Sequence, residues 1–196
     1  MLRRIFYTML QLCRYFSNLR KIKLIKNILQ IEPRAIKTYF DVVILDYDGV
    51  LAAHASPVVH PKVKAWLQQL LQVFPPERVY ILSNKPTWQR AEYIEKTFTG
   101  LNFISGVAKK PYPAGILQIL QQNDNVAERV LIVDDRLLTG CLAGVIAGVQ
   151  PWLIMQPWVD FTKRPVRESF FLSLRFIERI ILGVSLNGIR GNRELY

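Results

Sequence analysis

The stretch FDVVILDYDGVL, Phe40 to Leu51, constrains this chain more than any other. Val42 to Leu45 are apolar without alternation, the pattern of a strand buried on both faces. Asp46 and Asp48 follow at once, one residue apart, and then comes Gly49. A buried strand that ends in carboxylates must belong to an architecture that opens to solvent at that end. A parallel sheet covered by helices does so, because its chemistry gathers beyond the carboxyl ends of the strands.

The rest of the central sequence fits that architecture. Strand candidates are Val42–Asp46, Val79–Ser83, Phe103–Ser105, Val130–Asp134 and Trp152–Met155. Helical stretches lie between them: PKVKAWLQQLLQVF, stopped by Pro75-Pro76, then PTWQRAEYIEKTF, PAGILQILQQN and LLTGCLAGVIAG. The expected fold is α/β, a Rossmann-like parallel sheet with helices on both faces. With 196 residues and 51% hydrophobic content the chain can bury one ordinary core. The two cysteines, Cys13 and Cys141, show neither a disulfide nor a metal-ligand pattern.

In such a sheet Asp46, Asp48, Ser83, Lys110, Asp134 and Asp135 all converge on one edge. Several carboxylates with a lysine and a serine in one cleft need charge balance. A Mg²⁺ ion and a phosphate would supply it, the metal taking oxygen ligands and the lysine taking phosphate oxygens.

These residues also carry a resemblance. VVILDYDGVL, ILSNK, AKKP and VLIVDD resemble, in order, the four signature motifs of the haloacid-dehalogenase-like hydrolases. AKKP, DDRLLTG with the Gly-rich helix after it, PWLIM, the lead-in ILQIEP and the late RFIERIIL resemble the phosphatidylglycerophosphate phosphatase branch. The resemblance implies a Mg²⁺-dependent phosphomonoester hydrolase. Asp46 is the implied nucleophile and Asp48 the acid/base; Ser83, Asn84 and Lys110 are the implied phosphate-binding residues. Asp46, Asp48, Asp135 and Asp134 are the implied metal-binding residues. One departure stands out: the branch has Gly-Asp and then Thr-Asp, where this chain has Asp134-Asp135 and Thr139-Gly140. One carboxylate is thus missing at 140, and Asp134 is the expected replacement. The spans from Asp46 to Ser83 and from Ser83 to Lys110 are too short for a large cap domain, so an open cleft is expected.

The net charge of +11 is uneven. Residues 1–31 hold seven Lys/Arg and no Asp or Glu; residues 163–196 hold seven Lys/Arg and three Glu; residues 32–162 hold twelve of each sign. This suggests three segments: a basic amphipathic N-terminal arm (1–31), the phosphatase-like domain (32–162), and a basic C-terminal helix and tail (163–196). Leu2, Ile5, Phe6, Met9, Leu12, Cys13, Phe16 and Leu19 recur near helical spacing. An interfacial helix on an anionic membrane has this pattern; so does a helix that packs on the domain, and so does a mitochondrial presequence. The expected partners are a phosphorylated lipid substrate and an anionic membrane surface. No nucleic acid is expected, since Trp66, Trp88, Trp152 and Trp158 read as packing or interface groups. The expected location is cytoplasmic, peripheral on the inner face of a membrane, or mitochondrial if residues 1–30 are a presequence. The uncharged stretch 137–159 contains Gln150, Pro151, Gln156 and Pro157 and reads as helix, turn and strand instead of a membrane span. His54 and His60 read as loop residues. Two other functions compete: a soluble phosphatase for a small sugar or amino-alcohol phosphate, and a non-catalytic adaptor on lipid or nucleic acid that keeps the fold.

Overall fold

A computed structural model describes residues 2–123 and 126–184; the tail expected beyond them lies outside the described residues. Six strands form one sheet: β1 (Lys23–Ile25), β2 (Val42–Leu45), β3 (Val79–Leu82), β4 (Asn102–Ile104), β5 (Val130–Asp134) and β6 (Gln150–Ile154). Their spatial order is β1-β6-β5-β2-β3-β4, and every neighbouring pair is parallel. The helices are α1 (Leu2–Arg20), α2 (Pro33–Lys37), α3 (Pro61–Val73), α4 (Trp88–Thr97), α5 (Ala114–Asn123), α6 (Leu142–Ala147) and α7 (Pro165–Leu182).

The central strands are apolar throughout because both of their faces are covered. Val43 and Leu45 of β2 join a core with Val63, Trp66, Leu67 and Leu70 of α3 and Ile94 of α4. Val42 and Ile44 point the other way, into a core with Ile116 and Ile119 of α5 and Ala143 of α6. The expected doubly covered parallel sheet is therefore the observed fold. Local signals start its helices: His60 accepts a hydrogen bond from the backbone N–H of Lys62 at the head of α3, with Pro61 next, and Thr87 caps α4. Among the described residues no cap domain is inserted into the sheet, and no helix is long and apolar enough to cross a membrane.

The lead-in to the domain takes part in the sheet. Lys23–Ile25, read from sequence as part of a basic arm, forms an edge strand paired with Trp152 to Ile154 of β6. Its alternating pattern is that of an edge strand, with Ile25 buried. Leu12 and Leu19 of α1 and Ile22 pack with Leu142 of α6, Leu153 and Leu182. Loss of residues 1–30 would therefore strip a strand and core side chains from this fold. The outward arc of α1 still carries Leu2, Ile5, Phe6, Met9, Leu10 and Phe16.

The chain order reverses between β2 and β5: β3 and β4 continue on one side, β6 and β1 on the other. Such a switch point opens a crevice at the carboxyl ends of the two strands. Asp46 directly follows β2, and Asp134 ends β5.

Candidate active site

The main chain sets the first contacts. The backbone N–H of Asp46 donates to Val133 O at 2.9 Å, which brings the ends of β2 and β5 level. Lys110 Nζ then bridges them, 2.8 Å from Asp46 Oδ1 and 2.5 Å from Asp134 Oδ2. Asp46, Asp134 and Lys110 are all buried. The second oxygen of Asp134 accepts from the Arg136 backbone N–H at 2.9 Å. A side chain at position 140 would place its Cβ 1.8 Å from Asp134 Oδ2, so the Asp134 carboxylate fills the space above Gly140. That is the place from which the sequence lacks a carboxylate.

Asp135 is held differently. Arg175 of α7 donates to Asp135 Oδ2 from Nε at 2.6 Å and pairs with it through Nη2 as well. Gly49 stands against this pair. Its φ is +85°, and a Cβ there would lie 2.2 Å from Asp135 Oδ2, so both the turn and the close approach require glycine. Asp48 is clamped by Arg90 of α4, with Nη2 to Oδ1 at 2.6 Å and Nη1 to Oδ2 at 3.1 Å. The Ala55 backbone N–H adds a third donor at 2.9 Å. Arg90 is itself buried over the Tyr47 ring and also donates to Ser56 O and Lys85 O.

Ser83 and Asn84 reach the same edge. Ser83 Oγ accepts from the Lys85 backbone N–H, forming a local turn. Asn84 Oδ1 accepts from the Lys110 backbone N–H at 2.7 Å, and its Nδ2 donates to Lys110 O at 3.2 Å. Its amide thus brackets the main chain of Lys110, a positioning contact between two loops that the expectation of direct phosphate contact did not include.

Several residues of the site were not anticipated. His54, read as a loop residue, is buried in the cleft wall and stacks on Phe171 with centroids 3.9 Å apart. Its Nδ1 lies 3.2 Å from Glu168 Oε2 and its Nε2 lies 3.5 Å from Arg175 Nη2. Burial, then the nearby Arg175 charge, push its pKa down to about 3. The ring is therefore neutral, with Nδ1–H donating to Glu168 and Nε2 facing the guanidinium. Glu178 of α7 pairs with Arg136. Arg90, Arg175, Glu168 and Glu178 each sit in a helical stretch, where a charge in sequence reads as a solvated face.

The buried floor of the site is one positive charge short. Asp46, Asp48, Asp134 and Asp135 meet three buried cations, Arg90, Lys110 and Arg175. Burial raises the Asp46 pKa well above the carboxylate range, Lys110 opposes this, and the neighbouring aspartates add to it. Burial likewise raises Asp135, against the pull of Arg175. For Asp48 burial works against the charge, but the Arg90 hydrogen bonds outweigh it and hold the pKa low. Asp46, Asp134 and Asp135 bring carboxylate oxygens within 4.8 Å of one another. Hard oxygen donors of this kind suit Mg²⁺. Asp46 and Asp135 each use one oxygen in the contacts described above, whereas Asp134 uses both. The residues present thus fit a divalent cation, with Asp46 and Asp135 the better placed.

Asp46, Asp48, Asp135, Asn84, Lys110 and His54 line a cleft of about 350 Å³ that also takes in Arg4 of α1, Lys85, Lys109, Arg136 and Thr139, with Phe170, Phe171 and Leu174 of α7 on one wall; Asp134 and Ser83 stand behind that lining. A larger cavity of about 600 Å³ lies at the opposite, amino-terminal edge of the sheet, among Lys21, Tyr39, Gln150 and Trp152. The carboxylate cluster is in the smaller one.

Residues 9–157, from α1 to just past β6, match the family described as mitochondrial PGP phosphatase. The chain belongs to that family. It is a phosphatase of the haloacid-dehalogenase-like hydrolase superfamily. No curated protein matches the chain. Among solved structures, a hypothetical protein from Xanthomonas campestris aligns with a TM-score of 0.50 at 15% identity, over 87% of this chain and 99% of its own. A haloacid-dehalogenase-like hydrolase from Streptococcus pneumoniae aligns at 0.48 and 15% identity, over 63% of this chain and 88% of its own. A hydrolase of the same superfamily from Ehrlichia chaffeensis aligns at 0.43 and 14%, over 69% and 98%.

Proposed function

We propose that this family member is a Mg²⁺-dependent phosphomonoesterase that converts phosphatidylglycerophosphate to phosphatidylglycerol at a membrane surface in the mitochondrion. The observation that carries the reading is the cluster at the switch point: Asp46 beside Lys110, Asp48 held two residues on, and Asp135 across from them.

Asp46 attacks phosphorus in line through one carboxylate oxygen, keeping the other for the cations beside it, and the ester oxygen leaves, giving an aspartyl-phosphate. Asp48 protonates the departing alkoxide, then takes a proton from the water that opens the intermediate. Arg90 holds both oxygens of the Asp48 carboxylate, so taking up the proton needed for the acid step releases one of these two bonds while the other keeps the group in place. A phosphate dianion placed beside Asp48 raises its proton affinity, which favours the acid form needed first. Lys110 and Ser83 stabilise the equatorial oxygens, and Asn84 fixes the Lys110 main chain. Asp46, Asp135 and the main chain at Asp48 would hold Mg²⁺, with Asp134 completing the charge beside Lys110; when bound, the ion offsets repulsion between the carboxylates and the phosphate.

The mouth of the cleft supports a phospholipid substrate. Arg4, Lys85, Lys109 and Arg136 line it beyond Lys110. A phosphomonoester with a second anionic group nearby uses more cations than a simple monoester does. The family description supports the mitochondrial location.

The test is phosphate release from phosphatidylglycerophosphate in mixed micelles, compared with a panel of sugar and amino-alcohol phosphates. Turnover of the lipid should be preferred, should vanish with a chelator and return with Mg²⁺, and should be lost in Asp46→Asn. Release from soluble esters alone, or normal turnover in Asp46→Asn, overturns the reading.

A further inference from the structure

α7 is built inside out. Its protein-facing side carries charges: Glu168, Arg175 and Glu178 are all buried. These reach the His54 main chain and ring, Asp135, and Arg136 respectively. Its outer side carries the apolar residues. Val166 is 83% exposed, Phe176 64%, Ile180 61%, and Phe170, Ile177 and Ile181 are exposed as well. Residues 166, 170, 177 and 181 recur at helical spacing, so they form one stripe down the helix. α7 extends beyond residue 157, where the family match ends.

α1 adjoins it and adds to the same kind of surface. Arg4 of α1 and Phe170 of α7 line one cleft mouth. At the far end, an Arg20 guanidinium nitrogen lies 3.8 Å from where a Cβ at Gly183 would stand. The outer arc of α1 exposes Leu2, Ile5, Phe6 and Met9. Exposed cations flank these arcs: Arg3, Arg4 and Arg14 on α1, Lys163 and Arg167 at the start of α7. Exposed apolar surface on this scale marks an interface.

We propose that the outer face of α7, together with the adjoining arc of α1, docks on an anionic lipid bilayer and sets the cleft mouth at head-group level. The charges select this occupant. A second copy of the chain would bring one cationic rim against another, and like charges repel. A layer of anionic head groups complements the rim while the apolar stripe enters the acyl boundary. Phe170 belongs to both the stripe and the cleft wall, so a docked bilayer meets the site directly. The inference rests on the phospholipid reading only for the use made of the cleft mouth at head-group level.

The test uses the full chain and vesicles of phosphatidylcholine with or without phosphatidylglycerol. The wild type should co-sediment with the anionic vesicles, and salt should weaken but not abolish this, since the apolar part is not screened. Phe176→Gln, Ile177→Gln and Ile180→Gln, combined, should lower the affinity by more than about tenfold while p-nitrophenyl phosphate turnover stays unchanged. As a second measurement, brominated lipid should quench the fluorescence of an Ile177→Trp protein more than that of the wild type. Wild-type protein that ignores anionic vesicles, a triple variant that binds as before, or no added quenching overturns the proposal. So does a wild-type dimer that the triple substitution dissociates while vesicles leave it untouched. Vesicle binding without lipid hydrolysis rejects the substrate reading and leaves the docking face standing; hydrolysis in micelles without vesicle binding does the reverse.

Discussion

α3, of 13 residues, and α7, of 18, are both surface helices, yet they are held in opposite ways. α3 turns Val63, Trp66, Leu67 and Leu70 inward and leaves Lys62, Lys64, Gln68 and Gln69 to solvent. Each buried aliphatic side chain contributes ~1.5–3 kcal/mol, so apolar area is the main hold on that helix. α7 turns Glu168, Arg175 and Glu178 inward and leaves phenylalanine and isoleucine outside. Its inner face is a row of charged contacts to groups that belong to, or border, the candidate site. Loss of an apolar residue from α3 should therefore loosen the domain generally, whereas a change on the inner face of α7 should act on the chemistry as well.

Arg175→Met should give the largest effect. It leaves the buried Asp135 carboxylate without its partner, and breaking one side of a buried pair costs ~3–5 kcal/mol. Turnover should fall together with stability. The double variant Arg175→Met, Asp135→Asn should regain stability in urea melts without regaining turnover. If Arg175→Met alone keeps full activity, the helix is not tied to the site.

Leu67→Ala sharpens the contrast from the other side. It opens a cavity in the core under α3, at a cost of ~2–5 kcal/mol. Calorimetry should show the lower Tm, while the folded fraction should hydrolyse a soluble ester at the wild-type rate. A specific loss of kcat would show that the two helices differ less than proposed.

The smallest effect is in pH. His54 sits on the α7 seam between Glu168 and Phe171, with its pKa pushed down to about 3 against an ordinary value near 6.5. Below about pH 6.5 the unfolded chain takes up a proton there that the folded chain refuses, so stability falls as pH drops through that value. Above it the group adds no pH dependence. Between pH 7.5 and 5.5 the wild type should lose about 1 kcal/mol from this residue, read by urea unfolding, and His54→Gln should lack that part. An equal loss in both proteins would place the dependence elsewhere.

The strands were legible because a run such as VVIL has only one comfortable place, between two covered faces, and its Asp-x-Asp-Gly ending has only one use for a sharp exit. Five of the six strands, β2 to β6, and the helices between them accordingly lie within a few residues of where the pattern put them. β1 was not legible: RKIKLIK is short, and its basic, alternating residues describe an edge strand and an interfacial arm equally well. Asp46, Asp48, Ser83, Asp134 and Asp135 were legible in the sequence because each stands at or just beyond the end of a strand; Lys110 lies six residues past β4, and only the resemblance of AKKP separates it from Lys109. Asn84 came from the resemblance, as a phosphate-binding residue, whereas its bracketing of Lys110 joins two loops 26 residues apart.

What the sequence determined by itself was local: which segments are buried on both sides, where they stop, and which side chains stand at those stops. What only the tertiary structure decided was the partner of each charge. Arg90 reaches Asp48 across 42 residues and Arg175 reaches Asp135 across 40. Helical periodicity says which residues share a face but not which face turns inward, and for α7 the usual rule pointed the wrong way. A face of charges can be buried only if carboxylates and guanidinium groups from distant strands and loops are waiting for it, and that depends on where the chain returns in space.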